Sequence, residues 1–341
     1  MVPKAAGLPW SRRLLLGVLF FLICCGLGYS ILNRIEWRKA PGGLQDLQTY
    51  ANMIEGEPAR NLNGHMQFRV LVPGLARGVY RVVKDHTGTW DPIMLSLLLV
   101  NAFLVAATVV VLMTVVYGEL GDYAVALGSA LFYLLNFAVP NLRLIGFIDA
   151  GEGLFLMLAV WSLWSGRMGL LPVWAVLGTM AKETFVPFLA VFAVTWWLCS
   201  QRDRRAAMWI VVAVGAAFAT LTTVHWKVSG VLESPLRFGR DLHQNSEYLA
   251  YFFGAFRDRN LWYIFVWLLP LGLLKLNRFP RSWRVATGTT CAVAFALDVY
   301  YGGAPGTVGR ALFTIAGPLL SASVALLVFT GVGDSARAEV G

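Results

Sequence analysis

Long apolar stretches separated by short polar connections are the main feature of this chain. Ten such stretches follow one another along most of the 341 residues. Continuous apolar character predicts helices, because a backbone in lipid must satisfy its own hydrogen bonds and crossing about 30 Å of hydrocarbon takes about 20 helical residues. We predict spans near residues 14–32, 92–117, 123–140, 150–165, 169–181, 184–200, 206–226, 261–276, 285–301 and 311–330.

The pattern therefore predicts one all-α transmembrane domain over residues 1–341, a polytopic helical bundle of about ten spans. The composition agrees, since 57% of the residues are hydrophobic and 14% charged, against about 25% charged in soluble domains. The longest connections are 33–91 and 227–260. We place both outside the cytoplasm, because the dense short basic connections 202–205 and 275–284 then face the cytoplasm. Both termini are then cytoplasmic as well.

The charge distribution indicates a lipid partner. The net charge of +9 could suggest nucleic acid, but the basic residues are scattered over loops that flank the apolar stretches. Attraction to anionic headgroups or to a phosphate-bearing lipid explains this distribution better. A lipid bilayer is the expected partner, and nucleic acid is not.

The first outer loop, 33–91, contains two amphipathic segments that are predicted to lie as helices along the outer membrane surface. In the first segment, 44–54, apolar residues recur at helical spacing, and Asp46 lies near its start. A carboxylate at the mouth of a membrane cavity can accept a proton from an attacking hydroxyl group. Asp46 is therefore the candidate catalytic base, or alternatively a helix N-cap. The second segment follows Phe68-Arg69-Val70-Leu71-Val72-Pro73.

A pair of acids opens the predicted fourth span. Asp149 and Glu152 are three residues apart and share one helix face. They could hold an acceptor or a metal ion, or they could be acids that a helix N-terminus favours electrostatically. No histidine accompanies them at a metal-binding spacing. No metal ligand is assigned, and a divalent cation stays an open possibility.

Further charges interrupt the later apolar stretches, where a charge at membrane depth must be solvated or paired. Lys182 could bind a lipid-linked phosphate while Glu183 orients a partner. Arg310 follows a glycine-rich turn that begins after Asp298. Its planar guanidinium is suited to phosphate, or it could close the turn through an ion pair with Asp298.

Four of these features together resemble the integral-membrane glycosyltransferases of the GT-C superfamily: a first helix, an outer loop with an acid followed by Phe68-Arg69-Val70-Leu71-Val72-Pro73, an acid after the third span, and Ala181-Lys182-Glu183-Thr184. The resemblance covers about residues 10–200. It implies an active site outside the cytoplasm, a sugar donor carried on a polyprenyl phosphate, and Asp46 as catalytic base. The residues expected to bind substrate are Arg69, Asp149, Glu152, Lys182, Glu183 and Arg310.

The resulting hypothesis is a glycosyltransferase of the bacterial inner membrane. It would move a hexose or pentose, with inversion, from a polyprenyl phosphate to an extracytoplasmic glycan, lipid or protein. One alternative is a transporter or flippase of lipid-linked sugars, which predicts ionisable residues at all depths of the bilayer. Another is a catalytically silent scaffold, which predicts that the outer acids do not converge.

Overall fold

The computed structural model describes residues 9–32, 45–57, 65–200, 202–230, 248–301 and 306–338, and every regular element in these ranges is a helix. The α-helices are numbered in chain order: α1 (Trp10–Leu32), α2 (Gln45–Glu55), α3 (Leu71–Val83), α4 (Pro92–Leu120), α5 (Tyr123–Leu135), α6 (Asp149–Ser165), α7 (Leu171–Ala181), α8 (Phe185–Cys199), α9 (Arg204–Ser229), α10 (Tyr248–Phe256), α11 (Arg259–Leu274), α12 (Arg281–Tyr300) and α13 (Thr307–Ala338).

The all-α prediction is confirmed for the described residues, and each of the ten apolar stretches contains one helix. Among the described residues, four helices are long and apolar enough to cross a membrane: α1, α4, α9 and α13. Others, such as α5 and α8, are apolar but shorter than 18 residues. The helices are thus consistent with membrane insertion, while length and composition qualify four of them as spans.

The four long helices occupy two kinds of position. Most of the apolar segment is buried inside the protein in α4 (67%) and α13 (78%), whereas little of it is buried in α1 (17%) and α9 (22%). Helix α4 packs against α1, α3, α5 and α6, and α13 packs against α5, α6, α11 and α12. Helices α4 and α13 therefore form the centre of the bundle, and α1 and α9 expose apolar side chains at its periphery.

The connection between α5 and α6 departs from the predicted span 123–140. Helix α5 ends at Leu135 because Asn136 adopts an extended backbone, and its side-chain amide donates to the carbonyl of Ile264 at 3.0 Å. One wide helical turn, Val139–Arg143, follows. Gly146 then takes a φ of +105°, which glycine adopts without the clash of a Cβ atom. This turn places Asp149 at the start of α6.

The two amphipathic segments predicted between residues 33 and 91 form helices α2 and α3. The apolar face of α2 consists of Leu47, Tyr50, Ala51 and Ile54, each at most 2% exposed. We predicted that this face lies on the membrane surface, but it packs into the protein core instead. Residues 33–44, 58–64 and 231–247, which include much of both predicted outer loops, lie outside the described ranges.

Candidate functional site

A break between α7 and α8 brings Lys182 to the two acids of α6. Helix α7 ends at Ala181, and Lys182 has an extended backbone with φ −162° and ψ 137°. Its ammonium Nζ donates to Asp149 Oδ1 at 2.6 Å and to Glu152 Oε2 at 3.2 Å. Thr184 Oγ1 donates to the other Glu152 oxygen at 2.5 Å. The break therefore ties the Ala181–Thr184 segment to the first turn of α6.

These three ionisable groups are withdrawn from water, with exposed fractions of 3% for Asp149, 0% for Glu152 and 9% for Lys182. Burial by itself lowers the pKa of Lys182, but Asp149 and then Glu152 outweigh burial and raise it. Lys182 is therefore charged. Removing one member of such a set would leave an uncompensated buried charge. The described residues contain no group of three potential metal ligands, and the ammonium lies between the two carboxylates.

Glu183 does not pair with the adjacent Lys182 but with Arg69, as expected because neighbouring side chains point in different directions. Arg69 donates to Glu183 through two nitrogens, Nε at 2.8 Å and Nη2 at 2.5 Å, and its Nη1 donates to the hydroxyl of Tyr50 at 2.9 Å. Neighbouring Phe68 stacks on His225 of α9. The Phe68–Pro73 segment is thereby fixed to the α7–α8 break and to α2.

The Arg69 group is strongly coupled. Burial lowers the pKa of Arg69, but Glu183 and Tyr50 outweigh it and keep the guanidinium charged. Burial raises the pKa of Tyr50 to about 12, against the opposing effect of Arg69. Arg69 was a predicted substrate-binding residue. The residue is only 8% exposed, and its guanidinium is hydrogen-bonded to Glu183 and Tyr50. These contacts indicate that Arg69 holds α2 against the α7–α8 break.

Arg310 is held more loosely than Lys182 and Arg69, because its side chain forms an ion pair but no hydrogen bond to the described residues. Its Nη1 lies 3.4 Å from Asp149 Oδ2, and its guanidinium lies over the ring of Phe147 at 4.6 Å. The Asp149 contact is an ion pair without a hydrogen bond, since Asp149 Oδ2 has no hydrogen-bond partner. The Arg310 side chain is 16% exposed. It makes no hydrogen bond to the described residues, so its planar donor groups are available to an anion.

The alternative prediction, an ion pair between Asp298 and Arg310, does not form, because Arg310 pairs with Asp149. Asp298 Oδ1 instead accepts a hydrogen bond from Thr307 Oγ1 at 2.6 Å. This bond links the end of α12 to the start of α13. Residues 302–305 of the turn lie outside the described ranges.

Arg143 belongs to the same region but was not predicted. It is 2% exposed, donates to the hydroxyl groups of Tyr133 and Thr314, and lies 5.0 Å from the ring centroid of Phe313. A Cβ atom on Gly153 would lie 2.6 Å from Arg143 Nη1, so glycine makes room for this guanidinium. The only signal in the sequence is a single arginine between apolar residues.

Asp46 lies at the edge of this region. It is the second residue of α2, so its carboxylate belongs to the first turn rather than to the capping position. It lies one turn before Tyr50, and its negative charge contributes to the raised pKa of Tyr50. Asp46 is half-buried and forms no hydrogen bond or ion pair with the described residues. It differs in this from Asp149, Glu152 and Glu183, which are all held by cations.

The structure thus joins the predicted site residues in a chain of contacts. Asp149, Glu152, Lys182 and Arg310 form one group, and Glu183 with Arg69 forms a second group on the same break. Tyr50 connects the second group to the helix that carries Asp46. No protein-family model matches the chain, and neither a curated protein nor a solved structure is significantly similar to it.

Proposed function

We propose that the protein is a membrane glycosyltransferase that moves a sugar from a polyprenyl phosphate to an extracytoplasmic glycan, lipid or protein. About ten helices would cross the bacterial inner membrane, with both termini in the cytoplasm and the Asp149 end of α6 facing outward. The positive charge of the short connections at the opposite end supports this orientation. The protein would then meet its carrier within the bilayer and its acceptor outside it.

One observation carries the proposal: the contacts around the buried Asp149–Glu152–Lys182 group reach a cation whose ion pair includes no hydrogen bond, and a helix whose first-turn carboxylate has no partner among the described residues. Arg310 has donors free of hydrogen bonds, and Asp46 has a carboxylate free of partners among the described residues. Glycosyl transfer needs these two functions, a cation for the departing phosphate and a base for the acceptor. The paired residues between them hold both in place.

The proposed reaction is a single displacement. Asp46 removes the proton of the acceptor hydroxyl group, whose oxygen attacks the anomeric carbon of the sugar. The bond from that carbon to the phosphate oxygen breaks, and its electron pair leaves with the polyprenyl phosphate. Arg310 stabilises the negative charge that develops on the phosphate. The sugar inverts at the anomeric carbon because one displacement occurs.

The test uses the full chain in membrane vesicles together with a membrane extract of the producing cells, which supplies acceptors. Radiolabelled polyprenyl-phosphate hexoses and pentoses are added, and the label in products and the released polyprenyl phosphate are measured. Asp46→Asn should lower transfer by about 100-fold or more, the usual effect of removing a general base. Asp85→Asn, which alters an exposed acid of the same outer loop, is the matched control and should keep normal transfer.

Arg310 provides a second measurement. Arg310→Gln should raise the KM for the donor and lower transfer, and Arg310→Lys should restore part of the loss because it keeps the charge without the planar fork. Equal transfer by Asp46→Asn and Asp85→Asn would remove Asp46 as the base. Movement of a lipid-linked sugar across the vesicle membrane without any new glycosidic bond would favour the transporter hypothesis.

A further inference from the structure

A cleft lies at the other end of α6, away from the ion cluster. Its volume is about 610 Å³, and it is formed where the α6–α7 connection meets the start of α9. It shares no residue with the Asp149 cluster, and α6, at 17 residues, separates the two by about 25 Å. The residues that line the cleft are Gly166, Arg167, Met168, Gly169, Leu170, Asp203, Arg205, Ala206 and Trp209.

The charges of this cleft favour an anion. The carboxylate of Asp203 accepts from the backbone N–H groups of Arg205 and Ala206, so it is used in capping α9. Neither Arg167 nor Arg205 forms an ion pair with an acid of the described residues, and both side chains are exposed. Arg167 lies 5.1 Å from the ring centroid of Trp161, which leaves its donors available. Two arginines therefore face the cleft without a carboxylate partner.

The apolar part of the cleft continues into a lipid-facing surface. Met168, Leu170 and Trp209 line the cleft itself. Beyond it, Met208 is 53% exposed and Val212, one helical turn after Trp209, is 44% exposed on the same side of α9. Helix α9 is one of the four helices that are long and apolar enough to cross a membrane. A ligand that fits both parts has an anionic head and hydrocarbon chains.

We propose that this cleft binds an anionic glycerophospholipid of the surrounding membrane. Its phosphate lies against Arg167 and Arg205, its glycerol lies beside Trp209, and its chains follow Met208 and Val212 along α9. A cleft of this size accommodates a headgroup, since small-molecule sites usually measure about 300–1,000 Å³. The proposal depends on the membrane insertion of α9 and is independent of glycosyl transfer.

The experiment measures lipid retention by native mass spectrometry of the full chain in neutral detergent, with phosphatidylglycerol or phosphatidylcholine added. Phosphatidylglycerol should bind at one saturable site, and phosphatidylcholine should bind more weakly. Each of Arg167→Gln and Arg205→Gln should weaken phosphatidylglycerol binding about five-fold, the effect of one arginine near an anionic lipid surface. Arg204→Gln is the matched control, because Arg204 is exposed, adjacent and outside the cleft.

A second variant separates shape from charge. Gly169→Leu should obstruct the cleft beside Trp209 without changing its charge, and a Cβ atom there would meet nothing closer than Trp209 at 3.8 Å. It should abolish saturable phosphatidylglycerol binding while the protein melts at its normal temperature. An equal loss in Arg204→Gln, full binding in Gly169→Leu, or binding of glycerol 3-phosphate as tight as that of phosphatidylglycerol would each overturn the lipid assignment.

Discussion

The two ends of α6 carry charge in opposite ways. At the Asp149 end, acids and cations are buried and bound to each other, with Lys182 between Asp149 and Glu152. At the Arg167 end, the arginine is exposed and contacts an indole ring instead of an acid. Buried charges persist only when paired, whereas exposed charges remain solvated or meet lipid headgroups. One end of α6 therefore holds its side chains in a fixed geometry, and the other end presents charge to the surroundings.

The largest effect is expected from Lys182→Met at the paired end. This change leaves Asp149 and Glu152 buried next to each other without their shared cation, and should destabilise the protein by about 3–5 kcal/mol. Thermal unfolding in detergent measures the loss. Lys84→Met, at an exposed lysine directly after α3, is the control and should melt close to the parent protein. Similar melting of both variants would contradict the view that this end depends on pairing.

A double-mutant cycle on Arg69 and Glu183 measures how strongly a charge pair near the Asp149 end is coupled. Glu183→Met leaves the buried Arg69 guanidinium without its carboxylate and should cost about 3 kcal/mol. Arg69→Met removes the two-pronged donor of the part-buried Glu183 and should cost less. The double variant should lose less than the sum, with a coupling free energy of about 1–3 kcal/mol. Denaturation of the four proteins in the same detergent gives the cycle. Strict additivity would mean that the two side chains do not act as a pair.

The smallest effect is expected at the other end of α6. Arg167→Gln removes a guanidinium that lies 5.1 Å from the Trp161 ring centroid, and should cost about 0.5 kcal/mol, as exposed cation–π contacts do. The measurement is again thermal unfolding, in neutral detergent without anionic lipid. A loss near that of Lys182→Met would show that the Arg167 end is also held by its charges, and the contrast between the ends would disappear.

Much of the helical architecture could be predicted because it depends on local composition. Uninterrupted apolar stretches predict ten of the thirteen described α-helices, namely α1, α4 to α9 and α11 to α13. The helical spacing of Leu47, Tyr50, Ala51 and Ile54 predicts the apolar face of α2. What covers that face could not be predicted. An apolar helix face is equally suited to lipid and to protein, and only the packing of α2 against the core distinguishes them.

The site residues were partly predictable for a related reason. A charge inside an apolar stretch is conspicuous, which identified Lys182 and Arg310 as well as Asp149. The ion pairs were not predictable, because their members are far apart in the chain; Arg69 and Glu183, for example, are separated by 114 positions. Arg143 was missed because its partners are hydroxyl groups and an aromatic ring, which do not stand out in a sequence.

The helical and apolar character of the protein follows from its sequence alone, because hydrophobicity and helix formation depend on residues close together in the chain. The tertiary structure was needed to show which cations are hydrogen-bonded to acids, as Lys182 is, and which are ion-paired but keep free donors, as Arg310 does. Pairing depends on distances of a few ångströms between side chains on different helices. Those distances arise when breaks such as the one at Lys182 meet the end of another helix.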